Sequence, residues 1–296
     1  MRKRSSQVRA ALVFVAAAVL GLAGCDAGGS SPAPKGSKAH ADRPVPLWNR
    51  SPDSIAAVGD SITRGFDACM VLSDCPEVSW ATGSDAKVDS LAVRLLGVAG
   101  AAERSWNYAV TGARMADLPE QMSQAAARDP QLVTVMVGAN DACRASASAM
   151  TSPADFRTDF EEALHALRSA RPKAQVYVAS VPNLKRLWSQ GRTNPLGKQV
   201  WKLGICPSML SDADDLTGAA VGRRDQVQQR VLEYNKVLKE VCAKDRRCRF
   251  DGGAVYDYRF DTDQLSHWDW FHPSKDGQAR LAAIAYRTIT AARPEG

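Results

Sequence analysis

The amino-acid sequence predicts an α/β fold, a three-layer α/β/α sandwich built on a mostly parallel five-stranded sheet. Short apolar runs alternate along the chain with segments of helical periodicity, and no internal repeat is found. Strands that alternate with helices are typical of a parallel sheet covered on both faces. The composition, 45% hydrophobic and 24% charged, is that of a globular protein. We therefore expect one domain over residues 51–296, a size that α/β folds reach as a single unit.

The predicted strands are short runs of apolar, often β-branched residues that stop at turn-forming residues. The first ends at Gly59-Asp60, and the third is almost entirely apolar. The predicted strands cover residues 54–58, 106–110, 132–137, 175–180 and 249–255.

The predicted helices carry apolar residues at intervals of three and four. The one at 153–170 has a proline near its start and another just beyond its end, where prolines commonly bound helices. The predicted helices cover residues 87–96, 113–127, 153–170, 225–243 and 274–292. Residues 183–224 are polar with scattered Trp and Pro and are too long for an ordinary connection. We expect an irregular segment there, which either forms a lid or covers the sheet.

Residues 1–24 are expected to be a secretory signal peptide. A basic start precedes an uncharged, mostly apolar run over residues 10–22, which is too short to span a bilayer comfortably. The run ends in Leu-Ala-Gly-Cys25, which resembles a bacterial lipobox. The resemblance implies cleavage before Cys25 and a lipid on its sulfur, with a plain cleaved signal as the alternative. Two acyl chains would anchor the protein stably to a membrane.

Residues 25–50 are predicted to be the lipidated cysteine and a flexible tether rich in Gly, Ser, Pro and Ala. We accordingly expect an exported protein, held at the outer face of the bacterial cytoplasmic membrane as a lipoprotein, or secreted. The formal net charge of +6 lies in the first 50 residues, so the folded part is balanced. It has no basic run with interleaved aromatics, and we exclude nucleic-acid binding.

An even number of cysteines beyond Cys25 indicates disulfides in an exported chain. Six cysteines allow fifteen pairings, which the sequence alone leaves open. Two short polar spans favour Cys69–Cys75 and Cys242–Cys248, which leaves Cys143–Cys206. The sequence contains no CxxC, HExxH or clustered His-Cys spacing, so we expect no metal site.

In parallel sheets the working groups gather beyond the carboxyl ends of the strands. Gly59-Asp60-Ser61-Ile62 directly follows the first predicted strand. A glycine turn there would expose the hydroxyl of Ser61, and a following helix would present its positive N-terminus. The alternative is that Asp60 or Ser61 only caps that helix.

Two further motifs follow the next strands. Gly112 ends the second in Asn107-Tyr-Ala-Val-Thr-Gly112, where its backbone N–H could point into a pocket; an ordinary turn glycine is the alternative. Asn140 follows the third in Gly138-Ala-Asn140-Asp141, where its amide could reach an oxyanion. An Asn-Asp turn is the alternative there.

The fourth motif is Asp269-Trp-Phe-His272-Pro273, just before the last helix. A histidine that acts as a base needs a carboxylate to fix its tautomer and stabilise its imidazolium, and this spacing supplies one from the same loop. Of the other three histidines, His40 lies in the tether, His165 lies within a helix and His267 has no carboxylate three residues before it.

Together, these motifs resemble the GDSL, or SGNH, hydrolase superfamily, whose four named residues match Ser61, Gly112, Asn140 and His272. Residues 75–83 (Cys-Pro-Glu-Val-Ser-Trp-Ala-Thr-Gly) and 271–274 (Phe-His-Pro-Ser) are similar to signatures of its phospholipase-B-like branch of secreted esterases. The resemblance covers nearly all of residues 54–292 and implies a flavodoxin-like arrangement of the sheet.

The resemblance implies a role for each of these residues. Ser61 would attack an ester carbonyl, and His272, oriented by Asp269, would take its proton. The N–H groups of Ser61 and Gly112 and the side chain of Asn140 would form the oxyanion hole. The implied activity is that of a cofactor-free serine esterase or lipase acting on acyl lipids or small acyl esters through an acyl-enzyme, and we expect the protein to be a monomer.

Several alternatives stay open at this point. The same fold serves deacetylases of envelope carbohydrates and acyltransferases, and a lipoprotein that only binds ligands is a third class. Asp60 and Asp141 are expected to hold their loops by hydrogen bonds to backbone amides. Five tryptophans would either line an acyl groove or pack the loops: Trp80, Trp188, Trp201, Trp268 and Trp270.

Overall fold

A parallel sheet forms the centre of the protein. The structure, a computed structural model, describes residues 47–292. Five parallel strands lie in the order β2-β1-β3-β4-β5. This confirms the predicted α/β fold. The strands are β1 (Ile55–Gly59), β2 (Ser105–Asn107), β3 (Leu132–Met136), β4 (Gln175–Val178) and β5 (Cys248–Phe250).

Helices connect the strands and cover both faces of the sheet. They are α1 (Leu91–Arg104), α2 (Leu118–Ala126), α3 (Ala139–Ala142), α4 (Pro153–Ala170), α5 (Leu184–Gly191), α6 (Pro195–Trp201), α7 (Pro207–Leu210), α8 (Gly218–Ala243), α9 (Ala254–Asp257) and α10 (Lys275–Thr290). Short 3-10 helices lie at Pro76–Val78, Met115–Asp117, Ala147–Ala149 and Thr262–Gln264.

The order of the strands indicates where a ligand would bind. The chain steps from β1 to β2 on one side and then crosses to β3, β4 and β5 on the other. Right-handed crossovers therefore place α1 on one face and α2, α4 and α8 on the other. In agreement, α4 packs against α2 and α8, while α1 packs against α10. Ligands bind such sheets beyond the carboxyl ends of the strands, where the order reverses, which here is at β1.

Several predicted boundaries differ from the structure. Helix α1 begins at Leu91 rather than at residue 87, because the Ser90 side chain accepts a hydrogen bond from the N–H of Val93 and caps the helix there. Strand β2 ends at Asn107, whose side chain accepts from the N–H of Ala109. Beyond β5, part of the predicted strand 249–255 is instead helix α9.

The expectation of an irregular segment over residues 183–224 is wrong. Helices α5, α6 and α7 and the start of α8 lie there. Asn183 and Asn194 cap the first two helices with their side chains, and proline begins the second and third. The helices have only four to eight residues. Helices this short depend on capping and tertiary contacts, and α5 alone of the three carries a clear period, with Leu184, Leu187 and Trp188 buried on one face.

The tether predicted over residues 25–50 includes residues that belong to the folded domain. The Trp48 indole N–H donates to the carbonyl of Ile289 at 2.9 Å, and the Arg50 guanidinium donates to that of Thr290 at 2.6 Å. Residues 47–50 therefore pack against α10 as part of the domain, an arrangement that a polar composition does not reveal.

The signal peptide predicted over residues 1–24, Cys25 and most of the predicted tether lie outside the described residues. Within residues 47–292, no helix is long and apolar enough to cross a membrane.

Residues 47–292 contain three disulfides, and they are the pairs that the sequence favoured: Cys69–Cys75, Cys143–Cys206 and Cys242–Cys248. Cys143 ends α3 and Cys206 precedes α7. This disulfide therefore ties the α5–α7 segment, residues 184–210, to the loop that follows β3.

Candidate active site

Gly59 shapes the turn that carries Ser61. Its φ is +144°, and a Cβ atom there would lie 2.1 Å from the carbonyl oxygen of Met136 in the neighbouring strand. Only glycine fits so close a backbone approach. The side chain of Gln121 also bonds both the N–H and the carbonyl of Gly59, at 2.7 and 3.0 Å. The end of β1, and with it the position of Ser61, is fixed.

Residues 61–67 form consecutive turns, so the expectation that a helix follows Ser61 is wrong. Asp60 holds the first turn. Its Oδ1 accepts from the N–H of Ile62 at 3.0 Å, and its carbonyl accepts from the N–H groups of Thr63 and Arg64. The predicted loop-holding role of Asp60 is confirmed, but no helix dipole acts on Ser61.

The structure brings Ser61, His272 and Asp269 together in one hydrogen-bonded chain. Ser61 Oγ lies 2.9 Å from His272 Nε2, and His272 Nδ1 lies 2.5 Å from Asp269 Oδ2. In sequence, Ser61 lies 211 residues before His272, and Asp269 lies three residues before it. This arrangement can transfer the hydroxyl proton of Ser61 to His272 while Asp269 fixes the other ring nitrogen.

The loop before α10 fixes Asp269, which is fully buried. Its Oδ1 accepts from the N–H groups of Phe271 and His272 at 2.9 and 3.0 Å. Its carbonyl accepts from the indole N–H of Trp201 at 2.7 Å, which joins the loop to α6. With Oδ1 occupied by the backbone, Oδ2 is left to face the imidazole.

Asp269 and His272 stabilise each other's charged forms. Burial by itself disfavours the charge on Asp269, but His272 and the two backbone N–H groups hold the pKa of this carboxyl below its usual value. Burial likewise disfavours the imidazolium, but the carboxylate of Asp269 raises the pKa of His272 above its usual value. The pair is therefore arranged to accept a proton at Nε2.

Two buried carboxylates support the turns on either side. Burial raises the pKa of Asp60 to about 7 and also raises that of Asp141. Asp141 accepts from the N–H of Met115 at 2.9 Å and from the hydroxyl of Thr151 at 2.8 Å. This confirms its predicted loop-holding role and links the turn after β3 to the one that follows β2.

Gly112 and Asn140, the predicted oxyanion donors, line one cavity together with Ser61. Gly112 has a φ of +87°, which favours glycine, and an added Cβ there would meet no atom within 4 Å. The Asn140 side chain is oriented by a hydrogen bond from Nδ2 to the carbonyl of Ala113 at 3.0 Å, which uses one of its two amide hydrogens. The N–H groups of Ser61 and Gly112 make no hydrogen bond to any residue in the range 47–292.

A cavity of about 200 Å³ opens beside Ser61. Its polar side is formed by Ser61, Gly112, Asn140 and His272. Its apolar side is formed largely by Phe66, Leu184, Leu187, Ile205 and Phe271. The α5–α7 segment is therefore one wall of this cavity, a role that the sequence did not indicate beyond the spacing of Leu184 and Leu187.

None of the five tryptophans lines this cavity. Trp80, Trp188 and Trp201 are buried, with exposed fractions of 0 to 7%. Each donates its indole N–H to another residue, for example Trp188 to the carbonyl of Ala213 at 3.2 Å. The structure thus resolves the alternative in favour of loop packing. The exposed His267 packs against the ring of Trp268 at a tilt of 40° and takes no part in the hydrogen-bonded chain.

Two groups of potential metal ligands occur within residues 47–292. In the first, Cys69 and Cys75 lie beside Glu77, but their sulfurs are joined in a disulfide. In the second, Asp67 lies beside Asp269 and His272, whose Nδ1 already bonds to Asp269. Neither group offers a free set of ligands.

A serine, histidine and aspartate joined by hydrogen bonds beyond the carboxyl edge of a parallel sheet define a class of α/β serine hydrolases. The chain belongs to the GDSL-like lipase/acylhydrolase family, whose family model matches residues 55–285. It is therefore a GDSL-type hydrolase. No curated protein sequence matches the chain significantly.

Solved structures of similar fold include lipases and carbohydrate esterases. A protein described as a GDSL-like lipase from Parabacteroides merdae is 15% identical, with a TM-score of 0.46 and coverage of 83% of this chain and 99% of that one. An extracellular lipase from Streptomyces rimosus is 16% identical, with a TM-score of 0.43 and coverage of 80% and 99%. A family two carbohydrate esterase from Clostridium thermocellum is 15% identical, with a TM-score of 0.47; the match covers 80% of this chain and 63% of that one.

Proposed function

We propose that this protein hydrolyses carboxylic esters through a covalent acyl-enzyme on Ser61. The observation that carries the proposal is the chain of hydrogen bonds from Ser61 Oγ to His272 Nε2, 2.9 Å, and from His272 Nδ1 to Asp269 Oδ2, 2.5 Å. Ser61 and His272 line a cavity with an apolar side, and the N–H groups of Ser61 and Gly112 bond to no residue in the range 47–292.

The proposed reaction has two halves. In the first, Ser61 Oγ attacks the ester carbonyl carbon while His272 Nε2 accepts the hydroxyl proton, and the N–H groups of Ser61 and Gly112 and the amide of Asn140 stabilise the oxyanion. His272 then delivers its proton to the leaving alcohol. In the second half, water attacks the acyl group with His272 again as the base, and the acid is released from Ser61.

The cavity favours a short acyl chain. Its volume of about 200 Å³ is below the roughly 300–1,000 Å³ of pockets that hold drug-sized ligands. An acyl chain of a few carbons would lie against Leu187, Ile205 and Phe271. A longer chain would have to extend out of the cavity.

Hydrolysis of p-nitrophenyl esters from C2 to C16 by the full chain tests this proposal. We expect turnover by the native protein with an optimum at short chains, and loss of turnover in Ser61→Ala and His272→Ala. His267→Ala is the matched control, because His267 lies in the same loop but outside the hydrogen-bonded chain. Equal activity of the native protein and His272→Ala would contradict the mechanism.

A second candidate function is the deacetylation of envelope carbohydrates. The small size of the cavity favours it, since an acetyl group fits and the alcohol part of the ester would lie outside. Acetate release from an acetylated oligosaccharide, compared with hydrolysis of a butyrate ester, separates the two candidates. Release of acetate at a higher kcat/KM than butyrate hydrolysis would favour the deacetylase.

We further propose that the protein is exported and attached to the membrane through Cys25, which lies outside the described residues, and that it acts as a monomer. The lipobox-like sequence before Cys25 supports the attachment. Labelling of cells with a fatty acid should mark the native protein and leave Cys25→Ala unlabelled. Equal labelling of both would contradict lipidation at this position.

A further inference from the structure

Asp67 is a third buried carboxylate at the triad. It stands six residues after Ser61 and is 1% exposed. One of its carboxylate oxygens, one of Asp269 and one imidazole nitrogen of His272 all lie within 4.8 Å of one another. Two carboxylates thus face one imidazole, Asp269 from the loop before α10 and Asp67 from the turns that follow β1.

The hydrogen bonds of Asp67 leave one of its oxygens unused. Oδ1 accepts from the N–H of Leu72. The main chain is held on both sides, since the Asp67 N–H donates to the carbonyl of Ser73 at 3.0 Å and the Asp67 carbonyl accepts from the Ser266 hydroxyl at 2.6 Å. Oδ2 is buried and accepts no hydrogen bond from a donor within residues 47–292; only the protonated Asp67 side chain can bond to Asp269. A buried carboxylate without a donor is costly unless a positive charge lies near it.

We propose that Asp67 is a positioning residue of the triad, a second carboxylate that acts with Asp269 to stabilise the imidazolium form of His272. The inference rests on the proposed function, in which the proton of Ser61 Oγ passes to His272 Nε2. Before the transfer, two negative charges face a neutral ring and repel each other. After it, both face a positive charge, so the transfer is favoured.

The charge on Asp67 depends on pH in the range where the reaction is expected. Burial, reinforced by the negative charge of Asp269, raises the pKa of Asp67 to about 6. Asp67 is therefore charged above about pH 6 and becomes neutral as the pH falls below it. The charged groups that face Asp67 are Asp269 and His272, and those that face His272 are Asp269, Asp67 and Asp60.

Two ionisations accordingly lie on the acidic side of the pH–rate profile. His272 must lose its proton to act as a base, and the negative charge of Asp67 contributes to the raised pKa of His272. Asp67 must also lose its proton to support the imidazolium. Removing only the charge of Asp67 should therefore lower the pKa of His272 and leave one ionisation in place of two.

Asp67→Asn is the variant that removes the charge alone. Asparagine keeps an Oδ1 acceptor for Leu72 and tolerates the left-handed backbone of residue 67, whose φ is +57°. Asp67→Ala removes the charge and the acceptor together. Asp129→Asn is the matched control, because Asp129 has a φ of +51°, its side chain is 79% exposed, and it precedes β3 at the opposite edge of the sheet.

Nuclear magnetic resonance titration of the full chain with labelled histidine measures the effect directly. The His272 resonance is identified by its loss in His272→Ala. We expect Asp67→Asn to lower the His272 titration midpoint by about one pH unit and Asp129→Asn to leave it unchanged. An unchanged midpoint in Asp67→Asn would overturn the proposal.

The pH profile of kcat/KM supplies the second readout. The acidic limb of the native protein should show two ionisations, that of His272 and a second near pH 6 that lowers kcat/KM by a further factor of about three to ten, whereas the limb of Asp67→Asn should show one ionisation and lie at lower pH. The plateau of Asp67→Asn should fall about threefold to tenfold. If Asp67→Ala loses activity while Asp67→Asn keeps the native profile, Asp67 only holds its loop and the proposal is wrong. If the native protein turns over no ester, the proposed function fails, and the titration still decides the role of Asp67.

Discussion

The carboxyl edge of the sheet and the α5–α7 segment form two sides of one cavity, but they are stabilised in different ways. At the edge, Ser61 and Gly112 stand on turns after β1 and β2, Asn140 stands in α3 shortly after β3, and buried carboxylates bond the backbone of the turns. The segment consists of helices of four to eight residues, held by side-chain caps and one disulfide.

Arg224, which lies in α8, holds the C-terminal end of the α5–α7 segment in place. It is 1% exposed, lies over the ring of Trp188 at 4.4 Å, and donates to four backbone carbonyls of the loop around α7. The comparison indicates a division of labour. In the proposed function, the edge carries out the chemistry and the segment selects the acyl group. Substitutions at the edge should therefore lower the turnover of every ester alike, and substitutions in the segment should change the ratio between esters.

The largest effect at the edge, after loss of Ser61 or His272, is expected for Asp269→Asn. Asparagine would present a neutral partner to His272 Nδ1 and favour the wrong tautomer, so kcat should fall about 10⁴-fold for short and long esters alike. Asp263→Asn, an exposed aspartate in the same loop, should stay near the native value. A fall that is confined to one chain length would break the division between the two regions.

Asn140→Ala tests the oxyanion donor. It should lower kcat about 10²- to 10³-fold, with KM changed by less than about threefold, because the donor bonds the charge that develops only during the reaction. Steady-state kinetics across the ester series measures both constants. A rise in KM at constant kcat would place Asn140 in substrate binding instead.

Removal of the disulfide Cys143–Cys206 should act mainly on stability. The bond joins residues 63 apart in sequence, and a loop of that length corresponds to about 4 kcal/mol in the free energy of unfolding. Cys143→Ser combined with Cys206→Ser should therefore lower the denaturant midpoint and broaden the acyl preference as the wall loosens. An unchanged midpoint would show that the segment is held without the bond.

The smallest effect on activity is expected for a substitution in the wall of the cavity. Ile205→Ala widens the cavity, so the ratio of kcat/KM for a C8 ester over a C4 ester should rise about threefold to tenfold. Leu203→Ala is the control, because Leu203 is 79% exposed and is not part of the cavity. An unchanged ratio in Ile205→Ala would mean that the acyl group binds elsewhere.

The comparison also explains what could be predicted from the sequence. Ser61, Asn140 and the Asp269–His272 pair stand close to the ends of strands or before a helix, and Gly112 lies five residues beyond β2. These positions marked them as candidates, and the resemblance to GDSL hydrolases assigned their roles. The fold followed from the same alternation of strands and helices.

The remaining features depend on tertiary structure. Helices α6 and α7 are too short to show a period, and that of α5 extends over only two turns. They form because Asn183 and Asn194 cap α5 and α6 and because the disulfide holds the chain before α7. Asp67 is not distinguishable in the sequence from a surface aspartate, because only the folding of the 67–75 loop buries it against Asp269. The same holds for Trp201, whose partner is 68 residues away.

Labelling with a fluorophosphonate, followed by mass spectrometry, tests the central claim most directly, because only an activated serine reacts. We expect one adduct per chain, located on Ser61, absent from Ser61→Ala and formed at least about 10²-fold more slowly in His272→Ala. Labelling of another residue, or an equal rate in His272→Ala, would contradict the assignment of Ser61 and His272 as nucleophile and base.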